Sequence, residues 1–89
     1  MNTNYALITG ASSGIGKACA MILAKNGYGL ILTGRREDRL EQVKSEIESK
    51  YQVPCKVAVF DVRNRTEVEE FVKSLESPWT NISVLINNA

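Results

Sequence analysis

Four short apolar segments recur along the chain, and a stretch with helical periodicity separates each from the next. Tyr5-Ala6-Leu7-Ile8-Thr9 is an apolar run that ends at Gly10, the form of a strand buried on both faces. Gly29-Leu30-Ile31-Leu32-Thr33 is a second such run, Lys56-Val57-Ala58-Val59-Phe60 a third, and Ile82 to Ile86 a fourth. Between the first two, Ile15, Ala18, Cys19, Ile22 and Leu23 recur at helical spacing, and Asn26-Gly27 supplies a left-handed stop. Leu40, Val43 and Ile47 mark one stripe of a second helix whose other face is Glu, Lys and Gln, and Pro54 ends that connection. Asn64, with Glu67 three residues on, resembles a capping box that opens a third helix. Val68, Phe71, Val72 and Leu75 give that helix an apolar stripe, and Ser77-Pro78 closes it. Strands connected through helices run parallel, because the connection is too long for a hairpin and must cross over. The order therefore predicts a doubly wound parallel α/β sheet of the Rossmann type.

The densest signal lies between the first strand and the first helix, in Thr9-Gly10-Ala11-Ser12-Ser13-Gly14-Ile15-Gly16. A helix that starts at such a turn presents unpaired amides and the positive end of its dipole, which suits a pyrophosphate. Gly10 permits a sharp exit from the strand, Gly14 lets backbone approach phosphates, and Gly16 lets the helix pack closely on the sheet. Ser12 and Ser13 add hydroxyl donors beside ribose and phosphate. The spacing is GxxxGxG, which differs from the commoner dinucleotide fingerprint, and no Lys-Ser or Lys-Thr follows Gly14 as a P-loop requires. Such a turn can also be a turn and nothing more. Its place at a strand-to-helix junction is what points to a nucleotide.

Thr9 to Gly16 reads TGASSGIG and resembles the cofactor motif of the short-chain dehydrogenase/reductase family. Asp61-Val62 follows the third strand, where that family commonly places an acidic residue that contacts adenine. Asn87-Asn88-Ala89 resembles its NNAG motif after the fourth strand. The resemblance spans the whole chain. It implies a nicotinamide dinucleotide bound by Gly10, Ala11, Ser12, Ser13, Gly14, Ile15 and Gly16, by Asp61 and Val62 on the adenine side, and by Asn88 near the cofactor. Asn87 would have a structural part in the central sheet. Residues 33–36, Arg39-Leu40, Asp61-Val62-Arg63-Asn64-Arg65 and Pro78-Trp79 are similar to one branch, the NADP-dependent 3-hydroxy acid dehydrogenases. That likeness implies a small-molecule alcohol or carbonyl substrate, with 3-hydroxy acids or their semialdehydes in view, and a homo-oligomer as the full-length enzyme.

The second strand runs into Gly34-Arg35-Arg36. Many dinucleotide-binding folds place an Asp or Glu here to accept hydrogen bonds from the adenosine ribose, favouring NAD. A carboxylate would repel a 2′-phosphate, whereas a guanidinium fork matches it with charge-assisted hydrogen bonds. Gly34 stands where the acid would be, and NADP is the expected cofactor. The competing reading pairs both arginines with Glu37 and Asp38 as a solvated charge cluster. Those two acids also suit the first turn of the next helix.

In the family, a later Ser and a Tyr-x-x-x-Lys pair carry out the chemistry. Tyr5, Tyr28 and Tyr51 are followed four residues later by Thr9, Leu32 and Cys55, so none matches and no catalytic residue is assigned. A doubly wound dinucleotide domain needs about six strands and four are visible. Residues 1–89 therefore read as the N-terminal part of one NADP-binding domain, without its catalytic part and inactive alone. The alternatives are a non-catalytic NADP-sensing or scaffold protein on the same fold, and a nucleotide-using enzyme of other chemistry such as a methyltransferase.

Composition agrees with a small globular unit: 44% hydrophobic and 24% charged residues over 89 positions. A net charge of +1 gives no field that would draw nucleic acid or an anionic membrane. No basic, apolar leader opens the chain and no apolar run spans a bilayer, so a cytoplasmic location is expected. With no histidine and two separated cysteines, Cys19 and Cys55, no metal site is expected, and both thiols read as small buried hydrophobes.

Overall fold

Strands joined through helices pair in parallel, and the four strands here do so in three pairings. The computed structural model describes residues 4–12, 14–60, 65–75 and 82–87. Within them run β1 (Tyr5–Thr9), α1 (Gly14–Lys25), β2 (Gly29–Gly34), α2 (Glu37–Tyr51), β3 (Cys55–Val59), α3 (Arg65–Ser74) and β4 (Ile82–Asn87). All pairings are parallel, and the sheet order is β3-β2-β1-β4. The chain therefore steps outward from β1 through β2 to β3, then returns past β1 to lay down β4. With crossovers of one hand, reversing the direction of travel moves the connecting helix to the other face.

The core divides accordingly. Ala6, Ile8, Leu30 and Leu32 pack with Ala20 and Ala24 of α1 and with Leu40, Val43 and Ile47 of α2. Leu7 and Ile31 point the other way and pack with Leu75, Phe71 and Ile82 on the α3 side. This two-sided cover buries β1 and β2 along their whole length, which explains why they read as unbroken apolar runs. The doubly wound Rossmann sheet is as the element order predicts.

The second helix matches its pattern fully, since Leu40, Val43 and Ile47 are all buried. The first does not. Its buried residues are Gly16, Ala20 and Ala24, while Ile15 is 71% exposed and Ile22 62% exposed. Leu23 of the expected stripe packs against the core, as does Met21, but the buried positions are the ones whose residues are small enough for close approach. Val72 is likewise exposed on α3, and that helix meets the sheet through the half-buried Phe71 and through Leu75 beyond its end. The third strand begins at Cys55, one residue before the expected Lys56, because its pairing with β2 starts at Leu30 and Cys55.

Both helix-to-strand connections on the first face close through a left-handed residue. At the end of α1, Tyr28 N donates to Leu23 O (3.1 Å) and Gly27 N to Ala24 O (3.0 Å), with Gly27 at φ 89°. That is the Schellman pattern expected of Asn26-Gly27. After α2 the left-handed position falls on Gln52, at φ 56°, whose N–H donates to Glu48 O (3.2 Å). The capping box at Asn64, the Ser77-Pro78 stop and Trp79 lie outside the described residues.

Candidate functional site

Parallel register brings the C-terminal ends of the four strands to one edge. Thr9 pairs with Thr33 and with Asn87, and Thr33 pairs with Ala58, so these four residues form one row across the sheet. Just beyond this row, β1 runs into the glycine turn and β2 into Arg35 and Arg36. The direction of winding reverses between β1 and β4, and ligands of open α/β sheets bind in the crevice beyond the strand ends at such a switch point.

The glycine turn leaves β1 there. Gly10 takes φ 63°, a left-handed value open to glycine at no steric cost, and this turns the chain sharply off the strand. Ala11 is buried and Ser12 half-buried, and Ala11 N donates to Thr33 O (3.1 Å), which ties the turn to the neighbouring strand. α1 starts at Gly14, so its first-turn amides face the region beyond the strand ends. A β-carbon placed on Gly14 would meet no atom within 4 Å. No packing among the described residues therefore requires glycine at that position, and the open space accords with a close-lying ligand. Gly16 is buried on the sheet side, as its expected part in packing demands, while Ile15 projects outward.

Arg35 and Arg36 emerge immediately after β2, and both are exposed. Neither is held in an ion pair among the described residues, whereas Lys17 Nζ meets Glu46 Oε2 at 3.0 Å. The charge cluster with Glu37 and Asp38 does not form. Both acids lie in the first turn of α2, where the helix dipole favours them. Two guanidinium groups without an ion-pair partner among the described residues, beside the N-terminus of α1, fit a dinucleotide with an additional phosphate. Ser13, Asp61, Val62 and Asn88 lie outside the described residues.

Two threonines that sequence reasoning passed over hold this edge together. Thr33 Oγ1 donates to Ile8 O (3.1 Å) and Thr9 Oγ1 to Ile86 O (3.3 Å). Both are buried, at 0% and 5% exposure, so each hydroxyl needs a partner inside the protein. Their sign in the sequence is a single polar residue closing an otherwise apolar strand. Phe60 N donates to Gly34 O (2.9 Å) and ties the end of β3 to that of β2.

The thiols take no part in this edge. Cys55 is buried at the start of β3, and burial, followed by the nearby Glu48, pushes its pKa from 9.0 up to about 12. Cys19 is only half-buried, less than expected. Among the described residues no cluster of His, Cys, Asp or Glu could hold a metal, and no helix is long and apolar enough to cross a membrane.

The sequence matches the short chain dehydrogenase family over residues 4–89. The chain belongs to that family. It is 40% identical over 83 residues to the NADP-dependent 3-hydroxy acid dehydrogenase YdfG of Escherichia coli, covering 93% of this chain and 32% of that protein. It is 41% identical over 87 residues to the sulfoacetaldehyde reductase of Chromohalobacter salexigens, covering 98% of this chain and 34% of the relative. The crystal structure of L-sorbose reductase from Gluconobacter frateurii, complexed with NADPH and L-sorbose, superposes with a TM-score of 0.88 at 35% identity. That match covers 100% of this chain and 34% of the reductase. The chain thus spans about a third of the length of the relatives it matches.

Proposed function

We propose that this chain is the NADP-binding part of an oxidoreductase that transfers a hydride between NADP(H) and a small alcohol or carbonyl compound. The observation that carries the reading is the end of β2, where Gly34 stands in place of an acid and two exposed arginines come next, without an ion-pair partner among the described residues and beside the glycine turn. The cofactor supplies the hydride, and the residues of this chain bind and orient it. Gly10, Ala11, Ser12, Ser13, Gly14, Ile15 and Gly16 form the cradle for the pyrophosphate and its adjoining ribose. Arg35 and Arg36 hold the 2′-phosphate through charge-assisted bonds. Asp61 and Val62 would border the adenine, and Asn88 would lie near the cofactor.

Residues 1–89 form the N-terminal part of a single domain in this reading, and the residues that handle the substrate proton lie in the remainder of the protein. The likeness to the 3-hydroxy acid dehydrogenase and the sulfoacetaldehyde reductase supports a small, polar alcohol or aldehyde as substrate, a 3-hydroxy acid or its semialdehyde first. A cytoplasmic homo-oligomer follows by analogy with such enzymes. The test is a pair of titrations on the whole protein. Arg35→Ala with Arg36→Ala should weaken NADPH by about 2–3 kcal/mol, the scale of one or two charge-assisted contacts, and leave NADH nearly unchanged. Equal losses for the two cofactors refute the assignment. The 89-residue chain alone should turn over neither ketones nor semialdehydes.

A further inference from the structure

We propose that Thr33 is a positioning residue: it fixes the spacing between the glycine turn and the arginine pair, and with it the preference for a 2′-phosphorylated dinucleotide. The inference rests on the reading of Arg35 and Arg36 given above. Thr33 is wholly buried between two apolar layers, a place where its neighbours Ile31 and Leu32 are aliphatic. A hydroxyl costs free energy there unless it is bonded, and valine would fill the same volume in a strand without that cost. The hydroxyl is bonded, to Ile8 O at 3.1 Å, and the carbonyl of the same residue accepts Ala11 N at 3.1 Å.

Those two contacts bracket Gly10, the left-handed point at which the chain leaves β1. One residue of β2 thereby grips the turn on both sides of its bend. Two positions further along, the same strand delivers Arg35. The next carbonyl, that of Gly34, accepts Phe60 N at 2.9 Å and prevents this end of β2 from shifting toward β1 without β3. A ligand that touches only the glycine turn does not sense the distance from turn to arginines. A ligand that must reach both does. Loosening the Thr33 hydroxyl contact should therefore cost NADPH more than NADH.

The experiment measures both cofactors by calorimetry on the whole protein. Thr33→Val should weaken NADPH about tenfold, the scale of one buried hydrogen bond, and NADH less than about twofold. In the Arg35→Ala/Arg36→Ala background the same change should alter NADPH affinity less than about twofold, because the two sites act as a unit. Equal losses for both cofactors, or a full tenfold loss without the arginines, overturn the proposal and leave Thr33 as a strand contact only. Should Thr33→Val fail to fold, Thr33→Ser decides, since it keeps the hydroxyl. A folded serine variant that retains the NADPH preference supports the proposal, and one that loses it overturns it. An unmodified protein without NADPH preference overturns the arginine reading itself, an outcome visible before any Thr33 variant is made.

Discussion

A β-carbon placed on Gly34 would stand 3.6 Å from both Leu40 δ-carbons, an ordinary van der Waals contact. Gly34 does not adopt a positive φ, so its backbone also admits an L side chain. Nothing in the packing at this β-carbon obliges glycine here. Gly34→Asp should fold and should reverse cofactor preference. The carboxylate would repel a 2′-phosphate and accept hydrogen bonds from an unmodified ribose, a change of about 2–3 kcal/mol in relative affinity. Competitive titration of NADH against NADPH measures it, and an unchanged ratio in a folded variant would show that the acid's place is elsewhere.

Gly14 offers the complementary case. A β-carbon there meets no atom of the described residues within 4 Å, and valine is no worse a helix former than glycine, so Gly14→Val should remain folded with stability changed by no more than about 0.5 kcal/mol. Cofactor affinity should fall below detection, because that space is where the dinucleotide lies in the proposed reading. Circular dichroism and calorimetry on one sample separate the two effects, and retained NADPH affinity in a folded variant would sink the assignment.

The packing of α1 predicts an inverted sensitivity to residue size. Ile22→Gln, at a large but exposed side chain, should change stability by no more than about 0.5 kcal/mol. Ala20→Leu, at a small and fully buried one, should destabilise by about 1–3 kcal/mol through overpacking. Chemical denaturation of both variants checks the ranking, and the opposite order would mean that the helix meets the sheet through its isoleucines.

Cys55 predicts a pH dependence. Its folded pKa, about 12, lies above the ordinary 9.0, so the folded state holds the thiol proton more tightly than the unfolded chain. The linked stability is complete below pH 9 and is lost as pH rises from about 9 to about 12. Cys55→Ala should be less stable at neutral pH through the lost volume of the buried thiol sulfur, yet should show a shallower decline across that window. Denaturation midpoints between pH 8 and about 11 compare the two, and parallel declines would remove Cys55 as the cause. Thiol reagents at pH 7 should leave Cys55 unmodified in the folded protein.

The fold was legible where side-chain size and polarity agree about which face is buried. Leu40, Val43 and Ile47 are both the most apolar and the most buried residues of α2, so periodicity found them. On α1 the two criteria part company: Gly16, Ala20 and Ala24 carry little hydrophobic signal yet make the contact, and the bulkier Ile15 and Ile22 drew the expected stripe to the wrong face. The proposed site is legible in its local chemistry, since Gly10, Gly14, Arg35 and Arg36 would each act through their own residue type. The cross-strand contacts escaped. The bond from Thr33 to Ile8 joins positions 25 apart, and only the sheet register discloses that they meet.

The seat of α1 on Gly16, Ala20 and Ala24 has a thermodynamic consequence for binding at its N-terminus. Glycine and alanine have no rotamers to freeze, so an anion placed at Gly14 would meet donors whose support loses almost no side-chain entropy. Arg35 and Arg36 are the reverse, long exposed chains that surrender up to about 2 kcal/mol of rotamer freedom each when they close on a phosphate. The two ends of a bound dinucleotide would thus carry different thermal signatures. Preorganised backbone at the pyrophosphate would supply affinity with little ordering cost. In the proposed reading the arginine fork would trade enthalpy for order, and discrimination between the phosphorylated and unphosphorylated cofactor should sharpen as the protein is cooled.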